Sequence, residues 1–452
     1  MIARGAVTIA ALAAIAMIAA PGAPPARAGA TGGDAPDSTL HRFLDSLADS
    51  TDAYFGLSAE RADTTGLDST LAVRLMRPWD PGRHGRHVGV APRYAFDRVD
   101  GSTPGAKIEL SDRRSRVSVS ADAAYAVEAK RWLGGGETSI TRRRRGTFVR
   151  LAALGGRRTA VMDPDRDDGL LGVMRAFVSG SDRQQYLRRD GFTVRAELER
   201  AGWFANLAFV DRVDAPLAVA SRWNLYGRPL LAPGNLAAAH GRTRGFTLDL
   251  GARVPKLPLR AGLAVAIADR ALGSDFDDRR VRLSLGGELP VARHVSLLPQ
   301  IRYGRLDGDP IPQASFYLGG AQTLRSLPDA SLGGTRLAIA RLDAIGADDV
   351  LALAHIPHPA FLPLQLGAFL GVGAVWGRDP FAPPGTGTAD LRGWPDRGAW
   401  RSEAGFSILY RPGLPEPDMV LRVDHAWATG PGGGAGRWSV GFSRPLDLLP
   451  AL

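Results

Sequence analysis

The 452 residues include no cysteine, so a disulfide framework, a thiolate metal site and thiol catalysis are all excluded. A formal charge of +10 is carried almost wholly by arginine, since Lys107, Lys130 and Lys256 are the only lysines. The arginines are spread over every segment, which fits a wet lumen or lipid phosphates better than nucleic acid, and no nucleic-acid partner is expected.

The chain opens with Arg4, an apolar run from Ala6 to Ala20 and the small-residue pattern Ala26-Arg27-Ala28. That order reads as a signal peptide over 1–28, with the mature chain starting at Gly29. The apolar run falls short of the roughly 20 residues that a spanning helix needs. Beyond it no charge-free apolar run reaches about 18 residues, so a membrane role has to come from strands. Residues 29–39 are small and polar. Leu40, Phe43, Leu44 and Leu47 then recur at helical spacing behind Asp37 or Ser38 as N-cap, and Leu67, Leu71, Val73 and Leu75 suggest a second short element. Residues 29–85 are therefore expected to form a short, partly helical periplasmic or plug-like segment.

From about Val88 the pattern changes to alternation. Phe192, Val194, Ala196 and Leu198 oppose Thr193, Arg195, Glu197 and Glu199; Phe246, Leu248, Leu250, Ala252 and Val254 oppose Thr247, Asp249, Gly251 and Arg253. The rows continue through Leu257 to Ile267, then Val281, Leu283 and Leu285 against Arg282 and Ser284, then Val295, Leu297, Ile301 and Tyr303 against Ser296, Gln300 and Arg302. A soluble sandwich also alternates. Runs of about 9–11 residues, however, have the reach of a tilted membrane strand, and polar faces rich in Arg, Glu and Gly suit a crowded aqueous interior. The expectation is all-β: a transmembrane antiparallel β-barrel over 86–446 with about 16 strands, 12 or 14 being the alternatives, and a tail at 447–452. Trp203, Tyr303, Trp376, Trp427 and Trp438 stand near run ends, where interfacial girdles form.

One stretch is more specific: Phe316-Tyr317-Leu318-Gly319-Gly320-Ala321-Gln322-Thr323-Leu324-Arg325-Ser326-Leu327, followed by Gly333-Gly334 and a strand carrying Arg341-Leu342-Asp343. It resembles the sixth extracellular loop of the BamA/TamA superfamily of outer-membrane assembly factors (bacterial surface antigen type), here as a short form without the repeated periplasmic POTRA domains. Phe96 to Gly101 is similar to the motif that opens the barrel in members lacking long periplasmic arms, and Phe369 to Trp376 to a strand motif of the same family. Trp438 to Phe442 fits a closing strand. The resemblance implies a loop folded back into the lumen, with Arg325 docking on Asp343, Gly319 and Gly320 allowing a sharp turn, and Phe316 and Tyr317 leading in. Gly371 stands where the family carries a strand aspartate and Ser326 where it has glycine, leaving Asp343 as the expected partner. The implied role is protein insertion or translocation in the bacterial outer membrane, with unfolded outer-membrane or translocated proteins as clients. The runner-up is a passive pore or lipid-handling barrel without clients.

No enzyme is expected. His294, His355, His358 and His425 are present, with Asp424 beside His425, but adjacent strand residues point to opposite faces, and neither G-x-S-x-G nor H-E-x-x-H occurs. No cofactor or metal is expected either. Asp275 to Asp278 reads as a calcium loop or as a solvated acidic loop. Arg142, Arg143, Arg144 and Arg145 read as a contact for lipopolysaccharide phosphates or as a solvated turn; outer-membrane lipids and lipopolysaccharide are the expected lipid partners.

Overall fold

The computed structural model describes residues 86–443, apart from 113–115, 145, 163–175, 178–181, 183, 201, 226–234, 255–256, 360–362, 381–392, 411–419, 431–433 and 435. The expected signal peptide, the segment 29–85, Arg145 and the tail 447–452 lie outside the described residues.

Nineteen strands follow in order: β1 (Arg86–Asp97), β2 (Gly101–Asp112), β3 (Val117–Ala126), β4 (Arg131–Arg144), β5 (Thr147–Val161), β6 (Tyr186–Arg200), β7 (Trp203–Pro216), β8 (Gly241–Arg253), β9 (Leu259–Ala268), β10 (Asp278–Gly287), β11 (Leu289–Ala292), β12 (Val295–Gly308), β13 (Phe316–Leu318), β14 (Leu332–Gly334), β15 (Arg336–Gly346), β16 (Leu364–Trp376), β17 (Arg401–Tyr410), β18 (Val420–Ala428) and β19 (Arg437–Ser443). Seventeen belong to one sheet, and β13 pairs with β14 in a small separate one. The large sheet is an antiparallel meander. Each strand from β1 to β9 pairs with the next, β10 and β11 both pair with β12, β12 pairs with β15, and β15 to β19 follow in turn. Alternate connections therefore share an end. Most long ones (162–185, 217–240, 309–335, 377–400) lie at one end, with the short turns 98–100 and 127–130 beside them, and the tightest (145–146, 201–202, 293–294) at the other, where 347–363 is the longest. No helix among the described residues is long and apolar enough to cross a membrane.

The alternating residues take up the two faces in the reverse of a soluble sheet. Leu151, Phe192, Leu207, Phe246, Leu283 and Ile301 are exposed, while on the opposite face Ser139, Arg195, Asp249, Gln300, Arg302 and Ser407 are buried. A large apolar side chain left in water forgoes about 1.5–3 kcal/mol. A whole face of them, contributed by most strands, is a surface made for a hydrocarbon solvent. Polar groups collect on the buried face and pair there: Arg150 bridges Glu137 and Glu197, and Arg195 lies 3.1 Å from Glu197.

The tryptophans divide. Trp203, Trp427 and Trp438 are exposed, but Trp376 is buried. Although on the outward row of β16, it is covered by its own connection: its indole N–H donates to the Gly393 carbonyl at 2.9 Å, and Trp394 stacks on it at 6.3 Å. The segment from Phe96 to Gly101 does not open the sheet. It is the turn between β1 and β2, held by the Asp97 carboxylate, which accepts the backbone N–H groups of Val99 and Asp100 at 2.9 and 2.7 Å.

Candidate functional site

The connection between β12 and β15 is the sixth at the long-loop end, and it folds onto the buried face of the sheet. Gly319 and Gly320 take φ of 114° and 96°, in the left-handed region. A Cβ on either would lie 2.0 Å from the Pro328 carbonyl oxygen or 1.9 Å from the Asp329 carboxylate, so side chains are excluded at this bend. The bend is closed by hydrogen bonds from Gly319 N–H to the Thr323 hydroxyl (2.8 Å) and from Gly320 N–H to the Leu324 carbonyl (2.9 Å). The resulting pad carries its own apolar cluster, in which Phe316, Leu318 and Leu324 pack with Leu306, Leu337 and Ile339 of the wall. Phe316 lies beneath the Arg280 guanidinium at 4.6 Å and occupies the space that a Cβ on Gly304 would need. Tyr317 donates its hydroxyl hydrogen to the Pro312 carbonyl at 2.8 Å.

The turn presents Arg325, only 4% exposed, to a set of charges on β15 to β18. Its Nη2 donates to Asp343 Oδ1 at 2.8 Å and its Nε lies 3.4 Å from Asp424 Oδ2. Its carbon centre sits 4.1 Å over the Phe369 ring. Arg422 donates Nη2 to Asp343 at 2.5 Å and Nε to Asp424 at 2.6 Å, and Arg341 reaches Asp343 at 3.7 Å while donating to the Ala321 carbonyl at 2.9 Å. The next loop residue, Ser326, donates its backbone N–H to Glu403 at 2.7 Å. Three arginines thus meet three carboxylates in a site shut off from water. Their mutual hydrogen bonding is what makes such burial tolerable.

Two of these acids differ from the sequence-based expectation, which left Asp343 alone. Glu403 stands directly across from Gly371 in the β16–β17 register, and a Cβ at 371 would meet Glu403 Cγ at 3.0 Å and Leu324 Cδ2 at 3.1 Å. The carboxyl missing from β16 is therefore supplied one strand over, and the glycine makes room for it. Asp424 faces the same cluster from β18, whereas its neighbour His425 points to the exposed face among Phe406, Trp427 and Trp438. The signal for both acids is alternation, Arg401 to Tyr410 and Leu421 to Trp427, read together with the register.

The remaining candidates lie elsewhere. Arg142, Arg143 and Arg144 end β4 at the tight-turn end, where Arg143, Phe148, Glu199, Arg200, Trp203 and Arg253 line a cavity of about 490 Å³. The acidic run does not converge: Asp275 accepts the Arg242 backbone N–H at 2.6 Å, and the Asp277 backbone N–H donates to Asp309 at 2.8 Å. Among the described residues no group of three His, Cys, Asp or Glu is placed to hold a metal ion.

No family model matches the sequence, and no curated relative matches it. Among solved structures the chain is similar to BamA from Haemophilus ducreyi lacking POTRA domains 1–3, with 12% identity and a TM-score of 0.47 over 80% of this chain and 70% of that one. It is similar to CdiB from Acinetobacter baumannii, with 11% identity and a TM-score of 0.39 over 79% and 59%. A third neighbour is OccK11 (OpdR) from Pseudomonas aeruginosa, with 12% identity and a TM-score of 0.37 over 80% and 83%.

Proposed function

We propose that this chain is a bacterial outer-membrane β-barrel of the BamA/TamA type that inserts or translocates other proteins. β10 and β11 are separated only by Glu288 and share β12 as partner, so they count as one wall strand and the wall has about 16. In this reading β1 and β19 close the wall. Their junction is the seam of that wall. With long loops outward, as is general for such barrels, the apolar face meets lipid and the charged face lines the lumen.

The observation that carries the reading is the loop folded onto the buried face and fastened there. A passive pore needs a wet path, whereas here a loop with a dry core of its own is pinned through Arg325 and Ser326 to β15, β17 and β18. Unfolded outer-membrane proteins would then be handled at the seam and not through the lumen. The same orientation puts Arg142 to Arg144 at the periplasmic rim, so a lipopolysaccharide contact belongs on another surface. Depletion followed by quantitative outer-membrane proteomics tests the function. Loss of other barrel proteins is expected; an unchanged proteome together with steady conductance of the purified protein in planar bilayers would replace it with the passive pore.

A further inference from the structure

We propose that the outer face of β5 to β8 carries a binding surface for the phosphates of the lipid A layer, built from two Arg–Asp–Arg clips. This rests on the outer-membrane reading, which sets the leaflet at the long-loop end. The exposed apolar rows on these strands end in three phenyl rings in contact, Phe192–Phe209 at 6.1 Å and Phe209–Phe246 at 5.3 Å between centroids. The register places Asp211 opposite both Phe192 and Arg244, one step nearer the long-loop end, and Asp190 opposite both Arg157 and Val213 one step further. These positions share the outward row with the phenyl rings. Charge on that row begins where the hydrocarbon-facing side chains stop.

Each carboxylate holds two arginines. Asp211 accepts Nε and Nη2 of Arg242, both at 2.6 Å, and Nε and Nη2 of Arg244 at 2.9 and 2.5 Å. Asp190 lies 2.9 Å from Arg157 Nε and 3.2 Å from Arg188 Nε. The carboxylates are the hidden members: the Asp211 and Asp190 side chains are 6% and 26% exposed, against 42%, 31%, 54% and 36% for Arg242, Arg244, Arg157 and Arg188. What the face presents outward is guanidinium. Asp275, which accepts the Arg242 backbone N–H, adds one acid at the rim. A guanidinium has five N–H donors in a fixed fork, so one already oriented by a carboxylate keeps donors for a phosphate and loses little freedom in binding it. Two such pairs side by side, just above a band of phenyl rings, match a headgroup whose phosphates sit directly over its acyl chains. Arg142 to Arg144 have no such position.

The test uses the purified full-length barrel in dodecylmaltoside, titrated with bis-phosphorylated lipid A and with its dephosphorylated form, and read by native mass spectrometry. Phosphorylated lipid A should bind at least about tenfold tighter than the dephosphorylated form, and Arg157→Gln with Arg242→Gln should remove that preference. The ligand pair alone keeps the claim testable if the variant folds poorly. Equal binding of both forms, or a phosphate preference that survives the double substitution, overturns the clips. A protein that is not heat-modifiable and leaves the outer membrane would instead overturn the barrel reading beneath them.

Discussion

Asp343→Asn is the most informative single change, because Asp343 touches all three arginines of the interior cluster, at 2.8 Å (Arg325), 2.5 Å (Arg422) and 3.7 Å (Arg341). Removing its charge leaves three buried guanidiniums facing Asp424 and Glu403 only. Breaking a buried pair from one side costs about 3–5 kcal/mol, and the upper half of that range is expected here, since two close contacts and one longer one are lost together. Arg325→Ala removes contacts to Asp343 and Asp424 and the stacking on Phe369, yet both acids keep Arg422, so about 2–3 kcal/mol is expected. Urea titration of the folded, heat-modifiable species would measure both, and the double variant closes a thermodynamic cycle. The two losses should fall short of additivity by about 1 kcal/mol or more. Full additivity, or Asp343→Asn proving milder than Arg325→Ala, would refute the view that this cluster is a single charge-balanced unit.

Gly371→Asp places a second carboxyl against Glu403 and Leu324 and should destabilise by about 2 kcal/mol, most of which Glu403→Ala should restore in the same urea assay. Leu283→Arg puts a cation on the exposed face and should block insertion into lipid at a cost of about 2–4 kcal/mol, while Arg282→Leu on the other face should still insert; liposome folding assays read both. At the tight-turn end, His358 is raised above its usual pKa by its hydrogen bond to the Ile356 carbonyl and then by Asp349. Burial pushes Asp349 up, but the Leu364 and Leu351 N–H groups and His358 outweigh it and hold its carboxyl low. The pair's stabilisation is fully present above the usual carboxylate pKa and below the usual histidine pKa; it is lost as pH falls through the depressed Asp349 value or rises through the raised His358 value. Proteolytic nicking of the 347–363 connection should accordingly be slowest between about pH 4 and 6.5 and faster above.

The strands were legible in the sequence where their two faces differ sharply. From Phe246 to Arg253 an unbroken apolar row opposes Asp249, and the period of two is enough to place both sets. Which face is wet was not legible from alternation, because a sandwich alternates in the same way; strand reach and the arginine content of the polar rows carried that expectation. Arg325 and Asp343 came through motif resemblance. Glu403 and Asp424 did not, since their place in the cluster is a property of register: Gly371 meets Glu403, and Ser407 meets Asp424, only once the strands are paired. Trp376 was misplaced for a related reason, its cover being supplied by residues 17 and more positions away in the chain.

The folded-in connection also acts as a cross-brace. It packs Phe316 against Gly304 of β12, docks Arg325 on β15 and β18, holds Glu403 of β17 through Ser326, and receives Arg437 of β19, which donates to the Leu327 carbonyl and lies 3.6 Å from Asp329. The flank from β12 to β19 is thereby tied together by one loop, while the β1–β2 turn has an anchor of its own: the Arg98 backbone N–H donates to Asp182 at 3.0 Å, its carbonyl accepts the Ala220 and Ser221 N–H groups at 3.0 and 2.9 Å, and Phe96 packs on Phe177 and Trp223. The two ends of the strand order are thus anchored by different loops. In the proposed opening of the wall each terminal strand stays with its own anchored flank, so within β1 the amides of the Arg86 end, remote from the Arg98 anchor and held by the β2 ladder, should exchange hydrogen before those beside Phe96.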